Sequence, residues 1–207
     1  MGPFILGGNI MKQDNLKITV EITQGTYREI ADRARTTIGM GKGDKVISLN
    51  YVRKMYLCEH SPIRIRNFLI RIENVPSWLS VHFVRHHVGY TPFVSTQRDD
   101  RNPTIIDRDE EKQGNLVTLE IYANVQAIIA VSRKRLCNCA HPRAKALWSQ
   151  VIQKLGEVDE VIPKIAVPDC VYRGWCFEHK SCNYHQSQGF EKAINEYREG
   201  INGWRMQ

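Results

Sequence analysis

Arg85, His86, His87, Ser95, Thr96 and Arg98 fall within one short run, RHHVGYTPFVSTQRDDR (85–101), where three arginines and two adjacent histidines share the backbone with hydroxyl side chains, Gly89 and Pro92. An anion such as phosphate is held by forked guanidinium donors, hydroxyls and free backbone N–H groups arriving from several directions. Gly and Pro bend the chain and let neighbouring donors turn toward one point. The run is expected to be a bent anion-binding segment, not a simple helix.

A second candidate region spans 126–156 and carries Arg133, Lys134, Arg135, Arg143, Lys145 and Lys154 without a single Asp or Glu. One-signed charge of this kind focuses potential on an anionic ligand. A solvated helix face is the competing reading. The position of Arg135, about one turn beyond Ser132 and two beyond Ile128 on a partly buried side, favours a guanidinium that reaches across a wall of the fold. His86 and His87 sit where a structural pair at a helix end would also sit. The surrounding arginines favour the functional reading, since perturbed titrating groups cluster at sites. His82, one helical turn before His86, is expected either to line the same pocket or to belong to the core.

Cysteines form a third group. Cys170, Cys176 and Cys182 recur every six residues, Cys137 and Cys139 precede them, and His141, His179 and His185 lie near in sequence. A structural zinc ion or an iron–sulfur cluster needs three or four soft ligands, and Cys139, Cys170, Cys176 and Cys182 are the candidates. The spacing lacks the paired Cys-x2-Cys form. Reduced thiols in a small packed appendage are the alternative, and a metal staple would help a short tail stay folded.

The elements that must carry these residues follow from periodicity. Residues 16–23 alternate as a half-buried strand, and 26–38 repeat apolar positions at helical spacing before the glycines at 39, 41 and 43. The GMGKGDK stretch follows a helix and lacks the phosphate-loop frame, so it reads as a connector. Ser48 is expected to cap a helix that ends near Cys58, and 63–75 to form a strand with one basic face. Pro76 should start a short helix through Val84 that delivers Arg85 and His86. Residues 102–115 read as an exposed loop, 115–124 as a strand, 124–136 as a helix, and 142–156 as an amphipathic helix stopped by Gly156. Strands mixed with helices without a βαβ rhythm imply an α+β fold. The domain reading is an arm at 1–15, a catalytic domain at 16–160 and a Cys-rich appendage at 161–207.

The 207 residues include 42% hydrophobic and 25% charged side chains, a globular balance, and no apolar stretch approaches the ~20 residues of a spanning helix. No secretory signal is read at the start, so a soluble, cytoplasmic protein with no membrane partner is expected. The net charge of +7 favours anionic partners.

Arg85-His86-His87, seven further residues and then Ser95 resemble the RHR-x7-S signature of the flavin-dependent thymidylate synthases, with His87 in place of the third-position arginine. Asn124 at a helix start and Arg135 eleven positions later are similar to the family's second block, and Ser61-Pro62 to its Thr/Ser-Pro element. The resemblance implies an antiparallel sheet flanked by helices and a homotetramer with active sites between subunits. It implies FAD as cofactor, NADPH and methylenetetrahydrofolate as co-substrates, and one-carbon transfer to C5 of dUMP. Carried across by position, it assigns Ser61, Arg85, His86, His87, Asn124 and Gln126 to the flavin. It assigns Arg85, Ser95, Thr96 and Arg135 to the nucleotide, with His82 and Arg98 as neighbouring substrate contacts and Ser95 and Arg135 in catalysis. The cell would be bacterial or phage-infected. The departures are His87, Phe93, Gln97, Gln126 and Ala130, and they fall mostly on the flavin side. Two alternatives stand beside this one: a dUMP or dCMP hydroxymethylase on the same scaffold, and a basic, zinc-stapled nucleic-acid-binding protein. Nucleic acid is the less favoured partner, because the aromatic residues are not interleaved with the basic ones.

Overall fold

A computed structural model of the chain describes residues 15–105 and 107–202, so the arm expected at 1–15 lies almost wholly outside the described residues. Four strands, β1 (Lys17–Gln24), β2 (Asn67–Pro76), β3 (Tyr90–Val94) and β4 (Leu116–Asn124), form one antiparallel sheet in the order β1-β2-β4-β3. Eight α-helices accompany them: α1 (Tyr27–Thr37), α2 (Leu49–Leu57), α3 (Ser77–Ser80), α4 (Val125–Arg135), α5 (Pro142–Val158), α6 (Ile162–Ile165), α7 (Asp169–Arg173) and α8 (Gln188–Asn202). The fold is α+β.

Alternation decides which face of the sheet is covered. Phe68, Ile70 and Ile72 of β2 and Val117, Leu119, Ile121 and Ala123 of β4 are buried on one side. Their neighbours Arg71, Glu73 and Glu120 form an ion-paired strip on the other. Ile70 lies opposite Val20 in β1 and Ile121 in β4, so the pleat stacks β-branched side chains at the centre of the core. Trp148, Leu147, Val151 and Leu155 of α5 and Ile128 of α4 close that core from above.

The helix starts obey local chemistry. Thr26 and Glu29 form a reciprocal capping box on α1, Ser48 Oγ accepts from Tyr51 N–H at 3.2 Å on α2, and Asn124 Oδ1 accepts from Ala127 N–H at 2.9 Å on α4. A buried clasp ties distant elements together. Arg66 Nε donates to Asp159 Oδ2 at 2.6 Å, Arg66 Nη1 to Gly25 O at 2.5 Å, and Tyr56 Oη to the same Asp159 oxygen at 2.9 Å. Gly25 is required there: its φ is +85°, and a Cβ would meet Ile65 O at 2.5 Å. Breaking one partner of such a buried pair costs about 3–5 kcal/mol.

Several boundaries differ from the sequence expectation. Ser61–Ile65 is a 3-10 turn, and β2 begins only at Asn67, because Pro62 occupies the start of a helical turn instead of an extended residue. α3 is a single turn, after which turns carry the chain from Val81 to Arg85. Gly156 does not stop α5, which runs to Val158; the missing side chain makes room for Pro163, whose Cγ lies 2.7 Å from where a Cβ would be. The main core continues through Val161, Ile162, Ile165 and Ala166, and a second apolar cluster of Val171, Phe190, Ile194 and Tyr197 follows. The glycine-rich connector is laced back to α1 by Arg35 Nε to Gly41 O at 2.6 Å and Gly43 N–H to Asp32 at 3.0 Å. Among the described residues no helix is long and apolar enough to cross a membrane.

Candidate functional site

Two segments meet at the inner end of β3. The turns after α3 present Arg85, His86 and His87, and Gly89 then bends the chain into the strand with φ +65°. That bend is forced by packing, since a Cβ on Gly89 would overlap the Asn124 side-chain amide. From the other side, the Asn124 cap launches α4 directly from β4 and sets Arg135 in its last turn.

There Arg135 Nε donates to His86 Nε2 at 3.2 Å, and the guanidinium lies 5.8 Å over the buried Phe83 ring. The His86 ring stands edge-on to Tyr90, 5.5 Å between centroids. Burial, then the Arg135 charge, pushes the His86 pKa down to about 4, so the imidazole is neutral near pH 7 and accepts from the guanidinium. Burial also lowers the pKa of Arg135, with the Arg85 charge acting in the same direction; arginine nevertheless stays charged. His82 belongs to the same neighbourhood: burial first, then Arg135, His141 and Arg85, holds it below the usual histidine range. The Arg85 charge is thus felt at both Arg135 and His82.

Tyr90 and Trp78 were missed in the sequence, and His141 was read only as a neighbour of the cysteines. Tyr90 is 3% exposed and its hydroxyl has no partner among the described residues. The His141 ring meets Trp78 edge-on at 5.0 Å and lies tilted to His82 at 5.6 Å between centroids. Tyr90 follows His86 by four residues, and an aromatic residue close behind a histidine pair was the available signal.

The outer half of the motif goes elsewhere. Ser95 is exposed just past β3, its N–H donating to Thr118 O at 2.9 Å and its Oγ accepting from Thr118 N–H at 3.0 Å. Thr96 Oγ1 accepts from Arg98 N–H at 3.1 Å, and the Arg98 guanidinium grips Asp100 with two bonds of 2.8 and 2.6 Å. Five residues of extended chain separate Tyr90 from Ser95, about 16 Å at roughly 3.3 Å per residue. Ser95, Thr96 and Arg98 make these bonds at the opposite end of β3 from Tyr90.

Other expected positions hold protein partners. Gln126 and Arg133 both donate to Glu59, whose backbone takes φ +51°. Asn124 caps α4, Ser61 is exposed at the 3-10 turn, and His87 is exposed on the loop. Cys137, Cys170, Cys176 and Cys182 line a cleft of about 1180 Å³ between the end of α4 and α7–α8, and all six cysteines are free thiols. Burial and neighbouring thiols push Cys139 and Cys170 up to about 11. Among the described residues no group of three His, Cys, Asp or Glu side chains that could hold a metal ion is found, Cys139, Cys170, Cys176 and Cys182 included.

No protein-family model matches the chain, and no curated protein matches it in sequence. Solved structures do. The crystal structure of Thymidylate Synthase X (ThyX) from Helicobacter pylori with FAD and dUMP superposes with a TM-score of 0.58 at 11% identity, covering 72% of this chain and 99% of that one. The fold is ThyX-like. A second structure of the Helicobacter pylori flavin-dependent enzyme, complexed with FAD and dUMP, gives 0.56 at 13% identity over 71% of this chain and 99% of its own. The UMP/dUMP methylase PolB from Streptomyces cacaoi, bound with 5-Br dUMP, gives 0.52 at 12% identity over 73% and 97%. A ThyX-like architecture is thus kept at sequence identities of 11–13%.

Proposed function

We propose that the chain is a pyrimidine-nucleotide C5-modifying enzyme of the flavin-dependent thymidylate synthase type, taking dUMP and adding a one-carbon unit from methylenetetrahydrofolate. The observation that carries this reading is the Arg135–His86 contact, with Arg85 within electrostatic reach, on a ThyX-like fold. Two guanidinium groups beside a neutral imidazole suit an anionic ligand with carbonyl acceptors. Arg135 binds the nucleotide and polarises a uracil carbonyl, which makes C5 the more nucleophilic.

The donor set also fits a flavin through Arg85, His86 and His87, which are cationic or hydrogen-bonding groups on an open loop. Asn124 and Gln126 are spent on the α4 cap and on Glu59, so the loop carries the cofactor. When bound, FAD supplies the hydride, with NADPH as its reductant. The chain's own residues bind, orient and neutralise.

Ser95, Thr96 and Arg98 enter from a second copy. β3 is an edge strand, and it exposes Phe93 and Val94, with Leu116 at the start of the neighbouring strand β4. Pairing of this apolar edge in a homotetramer would bring one chain's Ser95 onto another chain's Arg135.

Tritium release from C5-labelled dUMP, with NADPH, FAD and methylenetetrahydrofolate present, tests the reading. Release is expected, and the mass of the product separates methyl from hydroxymethyl transfer. No release, together with no dUMP binding by calorimetry, overturns it.

A further inference from the structure

Among the described residues three buried side-chain polar atoms lack a hydrogen-bond partner: Arg53 Nε, Arg133 Nε and Tyr90 Oη. The two arginines have other nitrogens engaged, with Glu196 O and with Glu59. Tyr90 has one polar atom, and it is the orphan.

A buried hydroxyl with no partner is unfavourable, and a native fold keeps one only where something else compensates. The sheet does not need this oxygen. Tyr90 packs on the core face of β3 opposite Ala123, and phenylalanine would fill that space equally well. The hydroxyl lies where the site lies: the ring is edge-on to His86, and the oxygen is within electrostatic reach of Arg135. The Arg135 charge attracts the oxygen's lone pairs, which turns the O–H proton away from the guanidinium. Burial keeps the phenol protonated, so it is a donor at any working pH.

We infer that Tyr90 is a substrate-binding residue whose O–H donates to an acceptor oxygen of the bound pyrimidine nucleotide, beside the oxygens held by Arg135. This rests on the nucleotide reading above and deepens it. Free protein carries the orphan donor as stored recognition: a ligand that offers an oxygen there removes the penalty, and one that does not leaves it in place.

Tyr90→Phe deletes the one atom and keeps the ring. Calorimetry with the wild type, Tyr90→Phe and Arg135→Ala against dUMP, deoxyuridine and inorganic phosphate separates the possibilities. Tyr90→Phe is expected to weaken dUMP binding roughly 5- to 100-fold, the range for a lost hydrogen bond in a desolvated site. A matching loss with deoxyuridine assigns the partner oxygen to the base; a matching loss with inorganic phosphate assigns it to the phosphate. Wild type that binds dUMP, with Tyr90→Phe binding it within twofold, overturns the role of Tyr90 alone. Wild type that binds none of the three sinks the nucleotide reading and the Tyr90 inference with it. The ligand-free melting temperature is an independent readout. It should be unchanged or higher in Tyr90→Phe, and a drop of several degrees would reveal an internal partner and overturn the inference.

Discussion

The two ends of β3 carry halves of one sequence motif and treat polar groups in opposite ways. At the inner end His86, Tyr90 and Arg135 are half-buried or buried, the guanidinium touches a neutral imidazole, and a phenol has no partner among the described residues. At the outer end Ser95, Thr96 and Arg98 are exposed and already satisfied by Thr118, by a local turn and by Asp100. Desolvated donors with spare capacity are what a ligand can exploit, while exposed donors with close partners contribute little by themselves. The inner end has a donor left to offer a ligand within one chain; the outer end has its donors already paired.

The sharpest way to break this contrast is Arg135→Ala, which should weaken dUMP binding by about 2–5 kcal/mol, the cost of removing one partner of a buried charge-assisted contact. Unchanged affinity in calorimetry would erase the inner site. Gly89→Ala attacks the bend that joins the two ends. Both the positive φ and the overlap with Asn124 should lower stability by about 1–3 kcal/mol in urea unfolding, whereas alanine at the exposed Gly114 should cost far less.

The pH dependence distinguishes the ends next. His86 titrates near 4 when folded and near 6.5 when unfolded. Between those values the unfolded chain holds a proton that the native chain refuses. Stability contributed by the neutral imidazole is therefore complete above about 6.5 and declines as pH falls toward 4. The drop in melting temperature between pH 7 and pH 4.5 should be smaller in His86→Asn than in the wild type, and an equal drop would place His86 in water. The smallest effect belongs to Ser95→Ala. Its stability cost should stay within about 1 kcal/mol, as for an exposed hydrogen bond, while turnover in the tritium assay falls clearly. Normal turnover would leave the outer end without a catalytic part.

Elements with strong local signals were legible. The Ser48 cap of α2 and the apolar periods of α1, α4 and α5 identify those helices, because caps and amphipathic spacing act over one or two turns. β3 was not legible, since a five-residue edge strand containing Pro92 carries almost no period and looks like a loop. The pairing of Arg85 with Arg135 followed from the resemblance, and the Arg85 charge acts to lower the Arg135 pKa. The diversion of Gln126 to Glu59 was invisible, because 67 residues separate the partners in sequence.

What the chain's order of residues determined by itself is the inventory: the helices with their caps, the alternation that buries one face of β2 and β4, and a cationic, histidine-rich segment suited to an anion. Which of those groups share a pocket was decided by the sheet order and the launch of α4 from β4. Those features set distances of a few ångströms between residues 49 positions apart, as for Arg135 and His86, and put about 16 Å of extended strand between near neighbours such as Tyr90 and Ser95. Side-chain type is a local property. Desolvation and an unfilled hydrogen bond depend on everything packed around the atom, and only the folded chain supplies that.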